Sequence, residues 1–119
     1  MSKKWIQTAD WKGEKHVPVI EIKKVEDGRV KVIVKVGKEI AHPNTQEHHI
    51  KWIDLFLWPE GEKFPVEIGY ISFDSHGEST VFSEPVAKFV FKTEKAGTLM
   101  ATSLCNIHGL WKHELDLKL

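Results

Sequence analysis

The stretch VKVIVKVG, Val30 to Gly37, limits the fold more than any other part of this sequence. Val30, Val32, Val34 and Val36 fall on one parity, and Lys31, Ile33 and Lys35 on the other. A repeat of two places the valines on one face of an extended strand, whereas a helix would scatter them around its axis. β-Branched residues at every second position add to that preference. The same kind of run recurs at VPVIEIKK, IKWIDLFLW, FPVEIGYISF, PVAKFVFKT, TLMATSLC and WKHELDLKL. Turn signals, EDG, HPN, PEGE and SHGE among them, separate these runs, and no stretch carries a sustained helical stripe.

About seven short strands with a turn every ten residues or so predict an all-β chain, a two-sheet β-sandwich of immunoglobulin-like architecture. The paired cysteines of antibody domains are missing, because Cys105 is the only cysteine. A length of 119 residues with 41% hydrophobic content supports one core, so residues 1–119 are expected to form a single domain. Residues 1 to 15, MSKKWIQTADWKGEK, read as a loop arm that has to be tied down. Seventeen basic side chains balance seventeen acidic ones and are interspersed with them, so no basic stripe marks a nucleic-acid surface. No stretch approaches the roughly 20 apolar residues of a membrane span, and no signal segment opens the chain. A lone thiol forms no internal disulfide and agrees with a reducing, cytoplasmic location.

The chemistry gathers in the histidines, His16, His42, His48, His49, His76, His108 and His113. Three stand in HPNTQEHH, one closes GEKH just before the first long strand, and one follows the cysteine in CNIH. These are loops and strand ends, where a sandwich carries function while its sheets hold the core. His76 and His113, taken singly, read as solvated surface histidines. The others concentrate metal-donor atoms around a single thiol.

Count and softness narrow the metal. Structural zinc takes four ligands from paired cysteine and histidine knuckles, and a second knuckle is absent here. A cupredoxin-like copper electron-transfer site uses two histidines, one cysteine and usually an axial methionine. Both methionines, Met1 and Met100, precede Cys105, so the axial place would fall to glutamine or a backbone oxygen. Several imidazoles with one thiolate suit redox-active iron, which prefers five or six ligands. A metal-free interaction module is the third reading.

The motifs GEKHVPVIE, GKEIAHPNTQEHHIKWI and CNIHGLW together resemble the superoxide reductases, the neelaredoxin branch in particular, over Trp11 to Trp111. The resemblance implies a mononuclear non-haem iron, one per chain, held by His16, His42, His48 and His108 in a plane with Cys105 as axial thiolate. It implies one-electron reduction of superoxide to hydrogen peroxide, with an electron donor such as rubredoxin restoring the ferrous state, and a homo-oligomer, commonly a homotetramer. Glu14 is implied as a ligand to the ferric iron, and Lys15 as the charge that draws the anion in. The desulforedoxin domain of two-iron relatives, with its four cysteines, has no counterpart in this sequence.

One choice rests on the resemblance alone. His48 and His49 are neighbours on an extended segment and face opposite sides, so one metal readily takes only one of them. Ile50, Trp52 and Phe56 share the parity of His48, while Ile53, Leu55 and Leu57 share that of His49, so periodicity leaves both open.

Overall fold

The computed structural model describes residues 3–119. Its strands are β1 (Ile6–Gln7), β2 (Pro18–Glu26), β3 (Arg29–Val36), β4 (Ile50–Pro59), β5 (Val66–Ser72), β6 (His76–Glu78), β7 (Val81–Phe82), β8 (Val86–Lys92), β9 (Gly97–Cys105) and β10 (Gly109–Leu117). Seven of the ten coincide with the alternating runs in the sequence; β1, β6 and β7 are additions. Two or three residues leave no room for an alternating pattern to show.

A five-stranded sheet runs in the order β1-β10-β9-β4-β5 and a three-stranded sheet in the order β2-β3-β8, with β6 and β7 as a separate ribbon. Val30, Val32, Val34 and Val36 are all buried, the face that the alternation predicts. They pack against Ile53, Leu55 and Leu57 of β4, Leu99 and Ala101 of β9, and Phe89 of β8 in one continuous core. Burial of each such side chain contributes about 1.5 to 3 kcal/mol, which pins the register of both sheets. On β4 the inward set is therefore Ile53, Leu55 and Leu57, and Trp58 stands half exposed on the outer face.

The arm is tied down as a strand. β1 pairs in parallel with β10, Ile6 against Leu110 and Gln7 against Trp111. The hydroxyl of Thr8 then donates to the carbonyl of Lys112 at 2.9 Å. Met1 and Ser2 of the expected arm lie outside the described residues. Between the sheets, the backbone N–H of Ile20 on β2 donates to Nδ1 of His113 on β10 at 3.1 Å. His113 thus spans the sandwich and is no solvated surface group.

Antiparallel order brings five strand ends to one edge of the sandwich. Pro18 at the start of β2 pairs with Val36 at the end of β3. Cys105 at the end of β9 pairs with both Ile50 at the start of β4 and Gly109 at the start of β10. The functional side chains stand there.

Candidate metal centre

The inward alternation of β9 delivers the thiol. Leu99, Ala101, Ser103 and Cys105 are all buried, so the face that fills the core ends on sulfur, with Cys105 at 1% exposure. The chain then turns sharply through Asn106 and Ile107. The N–H of His108 points back to Sγ of Cys105 at 3.4 Å. Gly109, at φ +80°, closes the turn in a conformation that favours glycine and opens β10.

His16 arrives from the arm, immediately before β2, and is buried. Its Nδ1 lies 2.6 Å from Oε1 of Glu14, which also accepts the backbone N–H of His16 at 3.0 Å. Trp111 stacks on the same ring, centroids 4.8 Å apart and planes 14° apart. His42 comes from the loop after β3. Gly37, at φ +82°, lets that loop fold back so tightly that a Cβ there would stand 2.6 Å from the backbone nitrogen of His42. His48 stands near the end of the same loop, where Thr45 caps it from within: the N–H of His48 donates to Oγ1 of Thr45 at 3.1 Å.

One ligand atom each from His16, His42, His48 and Cys105 lie within 4.8 Å of one another. Donors on opposite sides of a metal, each bonded at about 2.0 to 2.3 Å, stand about 4 to 4.6 Å apart, so the cluster has the span of one ion. His108 is not one of those four; it stands exposed at the edge of the group, its Nδ1 3.2 Å from Nε2 of His16 and 3.8 Å from Sγ of Cys105. Of the two histidines that periodicity left open, His48 turns into the cluster. His49 turns away and stacks on His76, ring centroids 3.5 Å apart. His76 is therefore no freely solvated histidine; its Nε2 also donates to the carbonyl of Phe73 at 2.7 Å.

The protonation pattern suits a metal. A carbonyl only accepts, so Nδ1 of His42, 2.7 Å from the oxygen of Pro43, carries the proton and Nε2 is left with a lone pair. That Nε2 and the Nε2 of His48 are buried without a hydrogen-bond partner among the described residues. Buried polar atoms are nearly always satisfied, and an ion at the centre of this cluster satisfies both. Burial, together with the charges of His16, His48 and Lys15, pushes the His42 pKa down to about 4 in spite of the Pro43 carbonyl. His48 is lowered as well, by burial first and then by His108, His16 and Lys15. Neutral imidazoles are the form that binds metal.

Lys15 is half buried, and its charge is felt at both His42 and His48. Glu14 serves His16 here: burial would raise its carboxyl, but the hydrogen bonds from the ring and backbone of His16 outweigh that and hold it below the usual range. Sequence reasoning assigned no task to Trp111, Thr45 or Asn106. All three stand inside the quoted motifs, but nothing in their spacing tells which neighbouring side chain each supports.

These features define a class: a single-ion centre of several imidazoles and one thiolate, at the edge of an all-β, immunoglobulin-like sandwich. The chain belongs to the desulfoferrodoxin family, whose model matches residues 8–114. It is 55% identical to the superoxide reductase of Pyrococcus furiosus over 120 residues, covering 95% of this chain and 96% of that one. It is 49% identical to the neelaredoxin of Megalodesulfovibrio gigas, over 89% of this chain and 88% of the relative. The reduced superoxide reductase (neelaredoxin) of Archaeoglobus fulgidus superposes with a TM-score of 0.95 at 56% identity, covering 98% of this chain and 100% of that structure.

Proposed function

We propose that this chain is a superoxide reductase: it reduces superoxide by one electron to hydrogen peroxide, using one iron held by His16, His42, His48, His108 and Cys105. The observation that carries this reading is the cluster of donor atoms within 4.8 Å, two of them buried nitrogens without any other partner. Named relatives at 55% and 49% identity over nearly the whole chain support it. A bound iron supplies the electron and a coordination position for the anion, and two protons complete hydrogen peroxide.

The chain's own groups account for the rest. Cys105, buried at the end of the core face, offers a thiolate on the core side of the rings. Pro43 and Glu14 fix the protonated nitrogens of His42 and His16. Lys15 supplies positive charge beside the rings for an anionic substrate, in a chain whose formal net charge is zero. Glu14 would be the carboxylate available to cover a bound ferric iron, and it would have to give up its hydrogen bond to His16 to do so. The domain spans residues 1–119, works in the cytoplasm, takes electrons from a small carrier such as rubredoxin and assembles as a homotetramer. The half-exposed Trp58 and Tyr70 on the outer face of the five-stranded sheet are consistent with contacts between copies. No helix is long and apolar enough to cross a membrane among the described residues.

The test is stoichiometric. Protein purified as expressed should contain iron and no copper, and with an electron donor present should yield one hydrogen peroxide per superoxide consumed, without dioxygen. Copper, or dioxygen released in step with peroxide, would refute the reading in favour of electron transfer or dismutation.

A further inference from the structure

We propose that Asn106 is a positioning residue for the metal centre, locking the loop that carries His48 to the turn that carries Cys105 and His108. The inference rests on the reading of this cluster as an iron site.

The loop before β4 has no regular secondary structure from Ala41 to His49. Its last part is held locally by Thr45, which bonds His48 and His49. Every long-range hydrogen bond of residues 45–49, among the described residues, goes to Asn106. The N–H of Asn106 donates to the carbonyl of His49 at 3.2 Å. The N–H of His49 donates to the side-chain Oδ1 of Asn106 at 2.9 Å. The side-chain Nδ2 of Asn106 donates to the carbonyl of Glu47, also at 2.9 Å.

This pattern has a physical logic. Residues 105 to 108 turn away at the end of β9, so the sheet ladder that pairs Ile50 with Cys105 cannot continue through backbone carbonyls alone. The Asn106 amide takes the place of the missing carbonyl opposite His49 and then reaches on to Glu47. His48 lies between the two residues so held. Its ring is thereby fixed against the sulfur one residue before Asn106 and the imidazole two residues after it. The ladder itself is irregular here, with a bulge between Ile50 and Trp52. Strand pairing alone therefore leaves the distance from His48 to the thiolate loosely set.

Alanine at 106 removes both side-chain bonds and leaves the backbone bond. Aspartate keeps an acceptor for the His49 N–H but replaces the donor to Glu47 by an oxygen. Partners of this supporting kind change metal affinity by about 10- to 100-fold when lost. The test uses iron-loaded protein as purified. Asn106→Ala should release Fe2+ to excess chelator about tenfold faster than wild type, and the sulfur-to-iron absorption band of the oxidised protein should shift. Asn106→Asp should fall between the two. Release rate and band both at wild-type values in Asn106→Ala would overturn the proposal, whatever happens to thermal stability. If Asn106→Ala cannot be recovered folded, the same readings on Asn106→Asp decide, and wild-type behaviour there overturns it. Wild-type protein without iron or band would refute the functional reading as well, so the two failures are distinguishable.

Discussion

Removal of the Glu14 carboxylate should separate its two tasks. Glu14 accepts Nδ1–H of His16 at 2.6 Å, with side-chain exposures of 26% and 8% for the pair. A hydrogen bond to a charged group contributes about 1.5 to 3 kcal/mol when shielded. Partial exposure of the carboxylate reduces this to about 1 kcal/mol, or roughly fivefold in an equilibrium constant. Glu14→Ala should therefore hold iron about fivefold more weakly, measured by competition with a chelator. Glu14→Gln retains a neutral acceptor for His16 and should recover most of that loss. Neither variant has a carboxylate to cover the oxidised metal, so both should bind azide or cyanide more readily than wild type, read from spectral titration. The initial reaction with superoxide should stay nearly intact in both. Azide affinity equal to wild type in both variants would refute any role for Glu14 at the metal, and unchanged iron retention in Glu14→Ala would refute its role on His16.

Lys15→Ala should slow the second-order reaction of the reduced protein with superoxide by about fivefold, since one partly screened charge is worth about 1 kcal/mol at the site. Its dependence on ionic strength should flatten, and Lys15→Arg should restore both; equal salt dependence in wild type and Lys15→Ala would place the steering elsewhere. His113 makes stability depend on pH. Burial lowers its pKa, with Glu114 opposing and Lys38 adding to the shift. A histidine held neutral in the folded state contributes stability that is present above about pH 6.5 and is lost as pH falls through the lowered folded value. His113→Gln keeps an acceptor for the Ile20 N–H and should lose less stability than wild type between pH 7 and pH 5 in denaturant titrations; identical slopes would refute the assignment.

The long strands were legible because their two faces differ. Val30 to Val36 alternate with lysines on all but one position, and the structure buries all four valines. β4 was harder to orient because both of its faces are apolar, and the bulge after Ile50 breaks the parity that would have carried an argument from Ile53 back to His48. Periodicity leaves His48 and His49 open; the resemblance chose His48, and the cluster geometry brings that residue in. The donor types were legible as a concentration of imidazoles around one thiol, but the contacts of their second nitrogens were not. Pro43 and Thr45 act through backbone groups, Asn106 acts across the fold, and the Glu14 carboxylate turns onto a ring two residues on, none of which spacing encodes. His113 and His76 read as solvated for a related reason: Ile20 and His49 are brought to them by the sandwich, and the Phe73 carbonyl three residues before His76 accepts through a turn that spacing does not show.

On the proposed reading the thiol at the end of β9 meets the iron. Cys105→Ser, purified with its metal and oxidised, measures this directly by visible absorption. The sulfur-to-iron charge-transfer band should be lost, with histidine-bound iron still detectable by elemental analysis. A band of unaltered position and intensity in Cys105→Ser would contradict it.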